Sequence, residues 1–263
     1  MNKDEIIKKV SKSEDKLIVA KVLDKLYLSE KTNKMMTTDF LDPHMQNVVL
    51  VSLNSSNINN YLFYGGYEGA ERSVVIFCPS NMPTSQAPES TGLFKVLKIN
   101  LLHRGNISHR DYLGSLMGLG IKREKIGDIL IKDEHCLVIV LNDVADFIKY
   151  NLVKVGNVKV EVDYAELDSL AAYEPKVKEI RTTVASLRLD CVASVGFGIS
   201  RSKTQEYIKA EKVNLNWEIT PSIAKAVKEG DVITIRGKGR VVLKEVGRTT
   251  KKDRISIYLK KFI

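Results

Sequence analysis

Cysteine and histidine are scarce in this sequence of 263 residues, which contains three cysteines and four histidines. Cys78, Cys136 and Cys191 lie far apart and each is set in apolar sequence. That pattern favours reduced core thiols over disulfides or zinc ligands. The histidines show no metal-ligand spacing, and no glycine-rich cofactor loop follows a strand. We therefore predict no metal and no other cofactor.

Long apolar runs are missing as well. No uninterrupted stretch approaches the roughly 20 apolar residues of a membrane-spanning helix. The charged, amphipathic segment 1–9 differs from a secretory signal, which has an apolar run before its cleavage site. These absences predict a cytoplasmic protein without a membrane span.

Positive charge is concentrated in the last third of the chain. Residues 178–263 contain 19 Lys and Arg against 9 Asp and Glu, whereas residues 1–177 contain 22 against 23. The net charge of +9 therefore arises entirely in the last third. A basic excess confined to one segment is typical of a surface that binds a polyanion such as RNA. A basic face kept for solubility is the alternative.

Residues 1–72 are predicted to form a helical N-terminal domain. Ser13 precedes a run of helical apolar spacing, and Asp42-Pro43 has the form of an N-cap followed by proline at the first helical position. The glycine-rich segment 63–72 lacks the Gly-Lys-Ser/Thr ending of a nucleotide-binding loop. We interpret it as a structural corner in preference to a ligand loop.

Residues 73–165 show the order β-α-β-β-α-β, with helices after the capping residues Ser108 and Asn142. The four strands of this order are predicted at 94–100, 127–131, 136–141 and 158–162. This order predicts a ferredoxin-like domain similar to the RNA-recognition fold. Its third strand is aliphatic, so RNA would have to bind by a surface other than the usual aromatic one.

A linker at 166–178 is predicted to precede the basic C-terminal domain, 179–263. Apolar residues from Ile180 to Val195 have helical spacing, which predicts a helix with Arg181 and Arg188 on one side. Ser200 or Ser202 is predicted to cap a second helix, and strands then lead into a basic β tail. The expected fold class is α+β.

The basic domain supplies the predicted RNA-binding residues. Its two short helices would bring arginine, lysine and serine side chains to a helix N-terminus, where backbone N–H groups and the helix dipole favour phosphate. Alternatively, the serines only cap helices and Arg188 pairs with Asp190 or Glu206. The predicted RNA-binding residues are Arg181, Arg188, Ser200, Arg201, Ser202, Lys203, Lys209, Lys212, Arg236, Lys238 and Arg240. A possible second RNA patch, with a solvated helix end as the alternative, comprises His109, Arg110, Lys122 and Arg123.

The segment Ser186-Leu-Arg-Leu-Asp190, followed by Val192-Ala-Ser-Val-Gly196, Gly198-Ile-Ser-Arg-Ser202 and Gly230-Asp231, resembles the S4 domain. S4 domains are small RNA-binding modules of bacterial ribosomal and RNA-modifying proteins. The resemblance implies an αL-type fold that binds RNA. The chain departs from the pattern at Val213-Asn-Leu-Asn-Trp217, where many S4 domains have Val-Asn-Gly.

Asp190 lies in a sequence similar to a catalytic motif, since some pseudouridine synthases with S4 domains use a catalytic aspartate in the sequence Gly-Arg-Leu-Asp. This chain has Leu187-Arg-Leu-Asp190, and the following residues match the S4 helix. We therefore interpret Asp190 as structural or as the partner of a basic side chain, and we predict no catalytic residue.

Three ordered motifs extend the resemblance to the YlmH family of bacterial RNA-binding proteins. They are Gly65-Gly-Tyr-Glu-Gly-Ala-Glu-Arg72, His109-Arg-Asp-Tyr-Leu-Gly114 and Gly118-Leu-Gly-Ile-Lys-Arg-Glu-Lys-Ile-Gly-Asp128. That resemblance implies a non-enzymatic protein on the large ribosomal subunit, near peptidyl-tRNA, in rescue of stalled nascent chains. It also implies a link to cell division.

The function expected is therefore recognition of structured rRNA or tRNA by a protein that we take to be a monomer. The first alternative is an RNA-modifying enzyme, a pseudouridine synthase or a methyltransferase, that carries an S4 domain. The second is an adaptor in cell division.

Overall fold

The computed structural model describes residues 3–79, 82–84, 92–103, 105, 107–132, 135–171, 177–250 and 252–262. Two compact units divide the chain, residues 1–173 and 174–263. Both combine helices with antiparallel sheets, which confirms the predicted α+β class. Residues 172–176 of the predicted linker, with Pro175, lie outside the described residues.

The N-terminal segment is mainly helical but also contains three short strands, of which the sequence indicated the one at 73–77. Its elements are α1 (Lys3–Lys8), α2 (Ser13–Thr32), β1 (Met36–Thr37), α3 (Pro43–Asn54), β2 (Tyr61–Tyr64) and β3 (Val74–Phe77). The Asp42 side chain accepts a hydrogen bond from the Met45 backbone N–H at 2.9 Å, which confirms the predicted N-cap of α3. The three strands form an antiparallel sheet in the order β1-β3-β2.

The rest of the first unit has the predicted β-α-β-β-α-β order. Its elements are β4 (Phe94–Leu101), α4 (His109–Gly118), a 3₁₀ turn (Arg123–Lys125), β5 (Ile126–Ile131), β6 (His135–Leu141), α5 (Asn142–Asn151), β7 (Lys154–Val155), β8 (Val158–Ala165) and α6 (Asp168–Ala171). The sheet order β5-β6-β4-β8-β7 is antiparallel throughout, as in ferredoxin-like folds. The predicted capping box at the start of α4 is present, with Asp111 accepting from the Ser108 N–H at 2.8 Å.

Both faces of this sheet are covered, which explains the unbroken apolar sequence of β6. Side chains of α4 and α5, including Tyr112 and Ile148, pack on one face. The other face packs against the N-terminal segment through Phe40 and Ile76, and Phe40 stacks on Phe94 with ring centroids 5.1 Å apart. The face on which RNA-recognition domains stack bases is therefore filled by this protein's own core.

The glycine-rich segment 63–72 is held in place by Asp128, a buried carboxylate of β5. Asp128 accepts hydrogen bonds from the Tyr67 hydroxyl at 2.8 Å and from the backbone N–H groups of Glu71 and Arg72 at 2.7 and 3.0 Å. Arg72 in turn donates to the carbonyls of Phe40 and Ile126. These contacts support the interpretation of the segment as a structural corner that joins the N-terminal segment to the central sheet.

The second unit packs two helices against one face of an antiparallel sheet. Its elements are β9 (Val177–Val184), α7 (Leu189–Phe197), α8 (Arg201–Lys209), β10 (Val213–Leu215), β11 (Glu218–Ile219), β12 (Val232–Ile235), β13 (Gly239–Thr249) and β14 (Ile255–Phe262). The strand order is β11-β10-β12-β13-β14-β9. Gly196 allows α7 to approach β13 closely, since a Cβ atom there would lie 2.8 Å from Val241 Cγ1.

The helix predicted from Ile180 to Val195 is wrong in its first half. Residues 177–184 form β9, which pairs with β14 and places Arg181 opposite Tyr258. The spacing of Ile180, Val184 and Leu187 fits a helix, but Thr182, Thr183 and Val184 are β-branched and find a long partner strand at the end of the chain. Pairing with a distant strand decided the conformation, as is common for β-structure.

Candidate nucleic-acid interface

Helices α7 and α8 meet at a tight turn that exposes the N-terminus of α8. Gly198 ends α7 in the left-handed region with φ 66°. The Ser200 hydroxyl accepts from the Lys203 backbone N–H at 3.2 Å, so Ser200 is the N-cap, whereas Ser202 lies in the first turn of the helix. Arg201, Ser202 and Lys203 are all exposed there.

Asp190 lies beneath this turn and binds side chains on both sides of it. Its side chain is fully buried and accepts from Arg201 Nε at 2.7 Å, Gln205 Nε2 at 2.8 Å and Arg188 Nε at 3.2 Å. Burial by itself would raise the pKa of Asp190, but the hydrogen bonds from Arg201 and Gln205 and the charges of both arginines hold that pKa below its ordinary value. Asp190 is therefore an ionised partner of basic side chains, as the sequence predicted.

The two arginines are consequently held in fixed positions while much of each side chain faces outward. The Arg188 and Arg201 side chains are 41% and 49% exposed. Each contacts Asp190 through Nε, and a guanidinium group has five N–H donors in a planar fork. This geometry presents directed donors beside the N-terminus of α8, an arrangement that suits phosphate oxygens. The cap formed by Ser200 and the pairing of Arg188 with Asp190 are contacts that the alternative to RNA binding also predicted.

Lysines extend this surface along α8. Lys203 pairs with Glu206 at 2.6 Å, and that hydrogen bond raises the pKa of Lys203. The ammonium groups of Lys203 and Lys238 each lie 5.8 Å from the Tyr207 ring centroid, so the turn before β13 reaches the side of α8. We call Arg188, Ser200, Arg201, Ser202, Lys203 and Lys238 the helix-turn surface. At the far end of α8, Lys209 and Lys212 follow, and the Arg236 N–H donates to the Lys212 carbonyl at 2.9 Å.

Arg181 and Arg240 do not belong to this group. Strand alternation places both on the sheet face turned away from α7 and α8, because their neighbours Ile180 and Val241 pack towards the helices. Arg181 lies over the Tyr258 ring at 4.4 Å and Arg240 over the Phe262 ring at 4.0 Å. The prediction that Arg181 and Arg188 share one side was wrong, because it assumed a helix where β9 forms.

In the possible second patch, Arg123 is partly buried, whereas His109 is exposed. Arg123 donates to the backbone carbonyls of Ile126 at 2.6 Å and Gly127 at 3.3 Å, and burial lowers its pKa to about 10. Desolvation by surrounding atoms and the Arg123 charge lower the pKa of His109. Arg110 and Lys122 remain exposed. RNA binding by this patch stays a prediction, with Arg110 and Lys122 as its exposed basic side chains.

Gln205 is a residue of the candidate site that the sequence did not indicate. It completes the set of donors around Asp190, yet an isolated glutamine in an exposed helix gives no distinctive signal. Its position four residues after Arg201 is the one available hint, because residues four apart share a helix face.

Other chemistry is not apparent in the described part of the chain. Cys78, Cys136 and Cys191 are free and buried, as predicted for core thiols. No group of three or more metal-ligating side chains was found among the described residues. Of the helices that the structure describes, none has the length and apolarity that a bilayer crossing requires.

Comparison with known proteins gives three findings. Residues 95–169 match a family described as "Putative RNA-binding domain in YlmH". The "Ribosome-associated protein quality control protein P2" of Bacillus subtilis (strain 168) is 32% identical over 243 residues, which are 92% of this chain and 93% of that protein. The fold resembles a solved structure, "Cell division protein ylmH from Streptococcus pneumoniae", with a TM-score of 0.50, 18% identity, and coverage of 62% of this chain and 97% of that chain. Identity over nearly the whole length of both proteins, with a YlmH domain at its centre, means that the chain belongs to the YlmH family.

Proposed function

We propose that this protein is a non-enzymatic, cytoplasmic RNA-binding protein. It holds structured rRNA or tRNA on the large ribosomal subunit, in rescue or quality control of stalled translation. The name of the Bacillus subtilis relative and the RNA-binding domain within residues 95–169 support an RNA-binding role at the ribosome. The helix-turn surface is the part of the described chain best suited to contact RNA.

The observation that carries the proposal is the buried Asp190 beneath two outward-facing arginines. A catalytic carboxylate must reach its substrate, whereas Asp190 has no exposed surface and is occupied by three donors. Its lowered pKa also makes it a weak base at neutral pH. These properties favour a positioning role over the pseudouridine synthase alternative.

The proposed contact is with the phosphate backbone. Arg188 and Arg201 supply fixed charged donors, the first turn of α8 supplies backbone N–H groups, and Lys203 adds an exposed charge that pairs with Glu206. Such contacts position a folded RNA without reading its base sequence. Binding is therefore expected to depend strongly on salt, since each neutralised phosphate releases counterions.

The test replaces Arg201 and Lys203 by glutamine. Arg201→Gln removes the charge but retains an amide that can donate to Asp190, so the turn keeps a hydrogen bond. The matched control, Lys21→Gln with Lys25→Gln, removes the same charge from exposed positions of α2. The probes are a blunt RNA duplex and purified large ribosomal subunits.

The slope of log affinity against log salt changes by about 0.7 to 0.9 for every phosphate that the protein no longer neutralises. The Arg201 and Lys203 double variant should therefore bind the duplex more weakly and flatten the slope by about one to two. It should also sediment less with large subunits, and the α2 control should behave as wild type. Equal affinity and slope for the folded double variant and the wild type would refute the assignment of this surface.

A further inference from the structure

The hairpin between β10 and β11 has an unusual residue at its tip. Its two loop residues, Asn216 and Trp217, have φ values of 51° and 65°. A two-residue hairpin of this type needs positive φ at both positions, and glycine is favoured at the second. Asparagine tolerates this region, but a bulky side chain such as tryptophan seldom adopts it. The departure from the S4 pattern at Val213–Trp217 therefore coincides with a two-residue turn at Asn216 and Trp217.

The strained hairpin is held rigidly from below. Asn216 Nδ2 donates to Asp231 Oδ1 at 2.9 Å, and Asn216 Oδ1 accepts from the Val232 N–H at 2.9 Å. Asp231 is buried and its Oδ2 accepts from the Lys228 N–H at 2.9 Å. These hydrogen bonds of Asn216 and Asp231 hold the two-residue loop in its conformation.

Burial in the core does not account for the conformation. Trp217 is only partly buried, and it does not occur among the described residues that form or flank the hydrophobic core of this unit. It is also the single tryptophan of the chain. Residues held in sparsely populated backbone conformations cluster at ligand-binding sites, where the surrounding structure determines them.

A chain of contacts links the hairpin to Arg188 of the helix-turn surface. The loop that follows it runs beside the start of α7, where the Leu189 N–H donates to the Lys225 carbonyl and the Val227 N–H donates to the Leu187 carbonyl, both at 2.8 Å. Arg188 forms a β-bridge with Ala226. Lys228, two residues further, bonds to the Asp231 that clamps the hairpin. The backbone around Arg188 is therefore connected to the Trp217 hairpin through residues 225–231.

We propose that Trp217 is a stacking platform for an unpaired base of the RNA that the helix-turn surface holds. This inference rests on the proposed function and adds a preference that phosphate contacts lack. Aromatic side chains stack on unpaired bases of any sequence, and a base inside a duplex is not available to them. The protein should consequently prefer a folded RNA with an unpaired loop to a blunt duplex.

Tryptophan fluorescence gives a direct measurement, because selective excitation of tryptophan reports on Trp217 alone. The probes are a short RNA stem-loop with unpaired adenosines and a blunt duplex of equal length. Stacking should quench the emission on titration with the stem-loop, with little change on titration with the duplex. Unchanged emission while the stem-loop binds would overturn the inference.

Substitutions separate stacking from support of the fold. Trp217→Phe retains a ring and Trp217→Leu retains bulk without one, and both face the same backbone constraint. We expect the Phe variant to bind the stem-loop within a few-fold of wild type and the Leu variant to bind it about tenfold more weakly. Trp217→Gly relieves the positive φ, so it should melt no lower than wild type and still bind about tenfold more weakly. Equal binding by the Phe and Leu variants would refute stacking.

The same binding measurements distinguish failure of the proposed function from failure of the role of Trp217. If the wild type binds neither RNA, the proposed function fails. If it binds both equally, and the Arg201 and Lys203 double variant binds both more weakly, the helix-turn surface is supported and only the role of Trp217 is refuted.

Discussion

Replacing Asp190 with asparagine should destabilise the C-terminal unit in a pH-dependent manner. The substitution preserves shape but removes the buried charge that faces Arg188 and Arg201, and the new amide turns N–H donors towards groups that already donate. Breaking a buried ion pair costs about 3–5 kcal/mol when both partners are buried. Here the arginine side chains are 41% and 49% exposed and can regain water, so we expect a loss of about 1–3 kcal/mol at pH 7.

The sign of the pH dependence follows from the lowered pKa of Asp190 in the folded protein. An aspartate in the unfolded chain has a pKa of about 3.9. The carboxylate therefore contributes stability above that pH, and the contribution is lost as the pH falls through the folded pKa. Asparagine does not titrate, so the difference in stability between wild type and variant should stay nearly constant above about pH 5 and narrow as the pH falls below that value.

Urea unfolding followed by tryptophan fluorescence measures this unit specifically, because Trp217 lies in residues 174–263. Asp253→Asn is the matched control, since Asp253 is exposed and the same chemical change there should have little effect. A variant as stable as wild type at pH 7 would contradict the role assigned to Asp190. So would a difference in stability that widens as the pH falls.

Two further results are expected. Ser200→Ala should lower the stability of the C-terminal unit by about 1 kcal/mol, because Ser200 caps α8. Ser202→Ala should lower it by much less. Equal losses of stability for the two variants in urea unfolding would show that the cap is not the cause. Purified protein incubated with unmodified ribosomal RNA should leave no pseudouridine or methyl mark detectable by mass spectrometry; a mark made by wild type and absent with the Asp190→Asn variant would show that the protein is an enzyme.

Local sequence signals predicted much of the fold. The caps at Asp42, Ser108 and Ser200 act within three residues, so their chemistry is legible in the chain. The strand and helix order of residues 94–162 also followed from short-range patterns, since each element is bounded by turns or caps. The chain gave no comparable sign that Phe40 and Ile76 would cover the second face of the central sheet, because that contact joins segments far apart in sequence.

The sequence predicted those parts of the candidate site that depend on short-range signals and missed those that depend on distant pairing. Arg188 and Arg201 were placed together because the helix-turn-helix pattern between them is short. Arg181 was misplaced because its strand pairs with residues more than 70 positions away, such as Tyr258. Which side chains share a face depends on whether the segment is a helix or a strand. Side chains repeat every 3.6 residues in a helix, whereas successive side chains of a strand point to opposite faces.

Attraction to RNA and orientation of RNA need not arise from the same residues. On the helix-turn surface, the carboxylates of Asp190 and Glu206 offset part of the positive charge of the arginines and lysines. The excess of 19 basic over 9 acidic residues is instead spread over residues 178–263. A distributed excess of this kind raises the rate of encounter with a polyanion, whereas donors fixed by a buried carboxylate select its orientation. On the proposed function, Asp190 therefore reduces the local positive charge and in return fixes the geometry of the two arginines.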